Sequence, residues 1–526
     1  MEKYRLREFH KFSFNRQIYL YNVNRIQGYR INEALAKEID KLKNTLEFTL
    51  EELGPELVTA LRKLHLVEKI SVEKKVDFNP PERVPVSSIS LNVAQLCNLS
   101  CIYCYGVDGE YGEKGLMKEE IAYAAVDWLI EQSMGLSEVH INFFGGEPLL
   151  NFSLIKKVVE YAKQRCKERN KKIRFSMVTN GTLLKDEINQ FLNDHDFSIT
   201  LSFDGDANVQ DKNRPLKGGR GSYKIARKRV KEFLKSRDGR KTTGKATITG
   251  FNVNLNQIRD ALVEIGFKHV KTTVVTLPES SVFPNSNGNG KLPVRNGCGT
   301  NGMSTDNGST TFKNTSAPVQ LKGELAKTAK ILKLDEAHLN SAQYKFLQKD
   351  LEQLAQDTLR RIKNREHVYD RTILELIGML HKRSPKLYFC SAGTRYFTIS
   401  ISGDVYPCHR MVGQKDKVLG NINRWDPSVQ KPYIENYGMS HPKCKNCFAR
   451  FQCGGGCFHE SLETNGSMAE PNNNYCKYMR RSLELAIAIK DQLNIFDKTH
   501  LGLVNKPHKK LKKSDKPSVK KETVAV

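Results

Sequence analysis

The chain has 526 residues, 84 Lys plus Arg against 58 Asp plus Glu, and a formal net charge of +26. Such a length predicts about two to four domains and a core that needs no staples. Twelve cysteines in a basic chain with no apolar signal core at its N-terminus argue against a secreted disulfide framework, and no run reaches the roughly 18 apolar residues of a membrane-spanning helix. The reading is a cytoplasmic protein without a membrane partner.

Residues 1–84 read as a small α/β domain. Residues 12–31 suggest strand, turn, strand. Ile31, Leu35, Ile39 and Leu42 repeat at helical spacing, and residues 45–67 suggest two more short helices, the first capped by Thr49 and the second started by Pro55. A proline-rich linker at 79–85 closes the domain. From 85 to 279 short apolar strands alternate with amphipathic helices. Six strands are expected, over 88–94, 138–144, 172–179, 197–203, 245–250 and 269–276. Such alternation predicts a parallel sheet, here a partial (β/α)6 barrel, whose site lies at the C-terminal strand ends. Four motifs fall there: the Cys97–Cys104 loop, Gly145-Gly146-Glu147-Pro148, Asn180-Gly181-Thr182 and Ser202-Phe203-Asp204-Gly205.

Residues 280–321 are rich in Gly, Asn, Ser and Thr and read as a flexible insertion containing Cys298. Residues 322–385 form a helical bridge, clearest over 344–362. Residues 386–480 are built on cysteine: Cys390-x12-Gly403-x4-Cys408, then Cys444-x2-Cys447-x5-Cys453-x3-Cys457, then Cys476. Residues 481–526 end in a helix and a basic, disordered tail at 508–521. The charge suggests an acidic partner, but no nucleic-acid-binding module accompanies it.

Three thiolates at C-x3-C-x2-C hold three corners of a metal site. A [4Fe–4S] cube accepts three cysteines and leaves one iron free for a small molecule. The motif Cys97, Cys101, Cys104, with aromatic Tyr103 before the last cysteine, resembles the signature of the radical S-adenosylmethionine (SAM) superfamily. The seven later cysteines resemble, position by position, the SPASM domain of peptide-modifying members of that superfamily. A zinc ribbon explains only Cys444, Cys447, Cys453 and Cys457.

The resemblance implies three [4Fe–4S] clusters and SAM. Cys97, Cys101 and Cys104 anchor the SAM-binding cluster. Cys444, Cys447, Cys453 and Cys476 fill a distal auxiliary cluster, and Cys390, Cys408 and Cys457 hold a nearer one. It also implies that Gly145, Gly146, Glu147 and Pro148 meet the methionyl amino group, with Glu147 as its counter-charge. Asn180, Ser202 and Asp204 would bond the ribose or carboxylate, and Tyr103 would lie against the adenine. The nearer cluster, one cysteine short, either keeps an open iron or is closed by water, another ligand or Cys298. By layout alone, residues 1–84 resemble the winged-helix modules that recognise leader peptides of ribosomally made precursors.

The activity implied is a peptide maturase. A 5′-deoxyadenosyl radical takes a hydrogen from a precursor peptide bound through its leader, and a Cys sulfur couples to the carbon as an intrapeptide thioether. Reducing electrons would come from a flavodoxin or ferredoxin. His409 stands where sulfatase-maturing relatives have an aspartate base, a departure from that branch. Carbon–carbon cross-linking, residue oxidation or epimerisation, and a zinc-knuckle nucleic-acid binder are the alternative readings.

Overall fold

The computed structural model describes residues 2–70, 79–237, 241–275, 337 and 339–504. Cys298, the Gly/Asn-rich insertion and the basic tail lie outside the described residues. No described helix is long and apolar enough to cross a membrane.

The N-terminal region contains β1 (Tyr4–Leu6), β2 (Phe9–Phe14), β3 (Gln17–Asn22), β4 (Gln27–Ile31) and β5 (Val67–Lys69). β2–β3–β4 form an antiparallel meander, and β1 pairs with β5. Asn15 and Arg16, at φ 50° and 59°, make the two-residue turn between β2 and β3, the left-handed pair that matches strand twist. Asn32 caps the helix Glu33–Leu42, and Pro55 begins the helix Pro55–Lys63. The expected strand pair with three helices is therefore three meander strands with two helices. Residues 49–53 form a turn, because the chain restarts at Gly54-Pro55 before a first helix can develop.

The central sheet confirms the parallel α/β reading. Its strands are β6 (Ser88–Gln95), β8 (Glu138–Gly145), β9 (Lys172–Thr179), β10 (Ser198–Ser202), β11 (Thr242–Ile248) and β12 (Val270–Val274), with the two-residue β7 (Gly115–Leu116) antiparallel on β6. The spatial order is β12-β11-β10-β9-β8-β6, every neighbouring pair parallel. The cysteine-rich region extends this sheet. β13 (Tyr396–Ile399) pairs in parallel with β6, and β14 (Asp404–Tyr406) and β15 (Gly420–Asn421) follow antiparallel.

Strand alternation sorts the side chains. Val139, Ile141 and Phe143 of β8, Ile199 and Leu201 of β10 and Ala246 and Ile248 of β11 are buried under the outer helices. The alternate positions, such as Asn142, Thr200, Ser202, Thr243, Lys245 and Thr247, line the barrel interior. His140, Ser176, Asn142 and Ser90 bond one another across three strands at 2.8–2.9 Å.

The N-terminal meander is sandwiched. Leu20 and Ile31 pack on its own helices, whereas Phe12, Phe14, Tyr19 and Tyr21 join the main core. Tyr21 is fully buried and its hydroxyl donates to Gln452 at 2.8 Å. Arg450 clamps Glu8, and His10 stacks on Phe448 at 3.6 Å. Tyr21→Ala should cost about 3–5 kcal/mol, as expected for a lost buried ring. The midpoint of thermal unfolding should drop, while Ser13→Ala on the exposed side of β2 leaves it unchanged.

Candidate functional site

One cavity of about 810 Å³ opens at the C-terminal ends of the parallel strands. Cys97, Cys101 and Cys104 all border it, with Tyr103, Gly145, Gly146, Asn180 and Ser202. The sequence-predicted motifs therefore converge as strand-end geometry requires. Among the described residues no three His, Cys, Asp or Glu side chains sit close enough to share one metal ion. The three thiols surround an opening rather than a point.

The Gly145-Gly146 turn is pressed against the cysteine loop. Gly146 N–H donates to Ala94 O and Glu147 N–H to Leu96 O, each at 2.8 Å. A Cβ on Gly145 (φ +137°) would stand 2.1 Å from Ala94 O, and one on Gly146 would stand 2.2 Å from Leu96 O. Only glycine permits this approach.

Glu147 is placed differently from expectation. It is wholly buried behind the cavity wall, where its carboxylate accepts from Thr179 Oγ1 at 2.7 Å, Asn180 N at 2.8 Å and Leu149 N at 3.2 Å. Burial raises its pKa, opposed by these donors and by the charge of Arg214. Glu147 thus ties the ends of β8 and β9 together instead of facing a ligand. Pro148 is buried beside it, opening the 3-10 turn Pro148–Asn151.

Asp204 is likewise wholly buried. It accepts from Tyr103 Oη at 2.7 Å, Thr247 N at 3.0 Å and Asn213 Nδ2 at 3.2 Å. Ser202 lines the cavity, whereas Asp204, past the end of β10, does not. Tyr103 is held by its hydroxyl between Asp204 and Arg214, whose Nη1 donates at 2.7 Å. Asn180 faces the cavity, its Nδ2 donating to Asn98 Oδ1 at 2.9 Å.

The cysteine-rich region closes one side. Cys390 and Cys408 each feel the charge of Cys457, and Cys408 also feels that of Cys390. Cys444 feels Cys453, Cys476 and Cys447, and burial and these neighbours push its pKa to about 12. Cys390, Cys408 and Cys457 thus lie within electrostatic range of one another, as do Cys444, Cys447, Cys453 and Cys476. Cys166 stands apart, buried under the helix Phe152–Glu168. His409 enters the cavity, its Nδ1 3.0 Å from Tyr396 Oη and its ring 4.7 Å from Phe144. Burial and nearby Arg410 and Lys245 keep its imidazole pKa far below the usual value, at about 3.

The sequence reading passed over three cations. Arg214, Lys245 and Arg410 all line the cavity. The position of Arg410 directly after Cys408-His409 was the available signal for it, and the in-facing alternation of β11 was the signal for Lys245. Arg214 is buried beside Cys101, and its Nε has no hydrogen-bond partner. A guanidinium so placed fits an anionic group held by the three thiolates.

Residues 91–265 match the radical SAM superfamily, and residues 390–448 match the SPASM iron–sulfur cluster-binding domain. The chain carries a radical SAM region followed by a SPASM region. An uncharacterized protein of Methanocaldococcus jannaschii is 36% identical over 132 residues, 25% of this chain and 43% of that one. The serine-type anaerobic sulfatase-maturating enzyme of Klebsiella aerogenes is 31% identical over 148 residues, 28% of this chain and 36% of its own length. The chain thus spans less than half the length of these curated relatives. A solved structure of native anSMEcpe with bound AdoMet and Cp18Cys peptide shares the fold at TM-score 0.58 and 20% identity, covering 78% of this chain and 100% of its own. Radical SAM domains bind SAM and a [4Fe–4S] cluster, and SPASM domains bind auxiliary clusters.

Gly146→Ala forces a methyl group into Leu96 O. SAM affinity of the reconstituted protein should fall by about tenfold or more. Gly135→Ala, with nothing within 4 Å of the added carbon, should leave it unchanged in the same equilibrium dialysis.

Proposed function

We propose that this protein is a radical SAM/SPASM peptide maturase that forms an intrapeptide thioether, joining a cysteine sulfur to a carbon of a donor residue. Cys97, Cys101 and Cys104 would hold the SAM-binding cluster, Cys390, Cys408 and Cys457 the nearer auxiliary cluster, and Cys444, Cys447, Cys453 and Cys476 the distal one. When bound, SAM and these clusters supply a radical that takes a hydrogen atom, a thiol-binding iron corner and a sink for one electron.

The observation that carries this reading is the set Cys390, Cys408 and Cys457, mutually close and next to the cavity-lining His409 and Arg410. Among the described residues Cys390, Cys408 and Cys457 have no fourth cysteine, so one corner is left for a ligand from outside, here the substrate thiolate. The chain's own residues would do the rest. Gly145, Gly146, Asn180 and Ser202 present main-chain and side-chain polar groups to SAM. Tyr103, fixed by Asp204 and Arg214, forms a rigid wall. Lys245 and Arg410 line the cavity without an ion-pair partner among the described residues. An acidic donor side chain would satisfy them, since a buried unpaired cation is costly. His409, neutral in this setting, accepts or donates one hydrogen bond without adding charge. The fold itself accommodates SAM and a peptide together in the anSMEcpe complex.

Product mass tests the reading. With the precursor peptide encoded beside this chain, the cross-linked product should be lighter by two hydrogens and should lack one alkylatable thiol. Changing the acceptor Cys to Ser should abolish the product. A loss of two hydrogens with every thiol still alkylatable would instead mean carbon–carbon coupling or oxidation.

The N-terminal meander is the proposed leader site. β4 lies against the helix Asn473–Asp491, with Gly28 packed on Ile487. Among the described residues no main-chain hydrogen bond leaves the other edge, β2, on the side away from β3. An extended leader would add there as a strand. In the β2–β3 hairpin Phe14 faces Gln17 across the turn, so Ser13 directs its N–H outward. Ser13→Pro removes one outward donor and spares the ladder to β3. Precursor affinity should fall by about fivefold or more, as for one lost interfacial hydrogen bond, with SAM cleavage in the absence of peptide unchanged.

A further inference from the structure

A second depression, of about 560 Å³, lies between the helices Ser341–Lys363 and Asn473–Asp491. Lys345, Lys349, Lys477 and Arg480 line it, all exposed and all without an ion-pair partner among the described residues. Its two carboxylates are already engaged. Arg481 holds Glu352 at 2.9 Å and Glu484 at 2.6 Å, and His10 meets the second oxygen of Glu484 at 2.8 Å. The groove's five cations against two carboxylates leave a net charge of +3, with Lys345, Lys349, Lys477 and Arg480 facing solvent.

Its position gives this charge a meaning. Arg480 lies one helical turn beyond Cys476 and is close enough for its charge to act on both Cys444 and Cys476. The same helix thus carries a ligand of the distal four-thiol set and two cations of the groove. The distal set is the one farther from substrate in the proposed assignment, and Arg480 on the shared helix links it to the groove.

We propose that this groove docks an acidic one-electron carrier protein that exchanges electrons with the distal auxiliary site. The inference rests on the proposed assignment of Cys444, Cys447, Cys453 and Cys476 to a cluster. Thioether formation replaces one C–H and one S–H bond with a C–S bond. One hydrogen atom leaves with the SAM-derived radical, one proton leaves to solvent and one electron remains. The oxidised carrier takes that electron and is reduced by one equivalent. A small, polar, strongly charged contact suits such a partner, because redox encounters are brief and are steered by charge.

The test uses the full-length, iron-loaded chain and a purified oxidised flavodoxin. Calorimetry should show binding that weakens steeply between about 50 and 300 mM salt. Lys345→Glu with Lys349→Glu, on a helix that carries no cysteine, should weaken it by roughly tenfold or more at low salt and flatten the salt dependence. Iron content and dithionite-driven SAM cleavage should be unchanged. Stopped-flow transfer from the reduced protein to flavodoxin should slow in parallel. Equal flavodoxin affinity in the double variant would overturn the proposal. So would a wild-type chain that binds poly-glutamate or duplex DNA more tightly than flavodoxin, which would make the groove a general polyanion site. Iron analysis tests the cluster assignment separately: charge-dependent docking on a chain lacking four distal irons would sink that assignment and leave the docking surface standing.

Discussion

A buried carboxylate holds the site together. Glu147 stands where the ends of β8 and β9 meet the cysteine loop that leaves β6. Its own N–H fastens it to Leu96 O, and its carboxylate gathers the Thr179 hydroxyl and the N–H groups of Leu149 and Asn180. Isolated charge of this kind is costly to bury, and three donors with a nearby guanidinium offset that cost. With those bonds made, the Gly145-Gly146 turn lies within van der Waals contact of the loop, and all three thiols face one cavity. Losing the carboxylate would strand buried donors at about 1–3 kcal/mol each and release the end of β9 from the turn after β8, while the main-chain bonds to Ala94 and Leu96 remained.

The second dependence is between domains. β13 continues the parallel sheet from β6, so the cysteine-rich region is built onto the barrel by main-chain hydrogen bonds. Tyr111, in the segment after Cys104, donates to Gly145 O at 3.0 Å, and its own carbonyl lies against Gly413, where a Cβ would come within 2.0 Å. One aromatic residue therefore relates the cysteine loop, the glycine turn and the segment after Cys408. The N-terminal meander adds a third contact through Tyr21 and Gln452. The cysteine-rich region, cavity and meander are consequently held in one packed unit, with His409 and Arg410 lining the cavity.

Charge is sorted by the same architecture. Lys245 and Lys271 are cross-strand neighbours on β11 and β12, an arrangement that is unfavourable by itself. Glu375 relieves Lys271 at 2.9 Å, while Lys245 is left inside with Arg410 nearby. Burial and those two cations lower the Lys245 pKa to about 8. The interior is electropositive where a substrate would lie, and the outer groove beside Cys476 is electropositive where a protein could approach.

Much of this was legible in the chain because its signals are local. The spacing of Cys97, Cys101 and Cys104 is set by one loop, the glycines by one turn, and the strand-helix alternation by periodicity within each segment. These sufficed for the parallel barrel and the strand-end convergence. What depended on distant partners was not legible. Glu147 and Asp204 read as ligand contacts because their places at strand ends are local, whereas their burial depends on Thr179 and Thr247 arriving from other strands and Asn213 from a helix. The pairing of β13 with β6 joins residues some 300 positions apart, and no local pattern encodes it. The groove of Lys345, Lys349, Lys477 and Arg480 exists only because two helices far apart in sequence pack side by side. Sequence determines which groups are available and how each short segment folds. Only tertiary packing decides which charges are neutralised and which are left facing a cavity or solvent, because Coulomb energies and desolvation depend on neighbours in space.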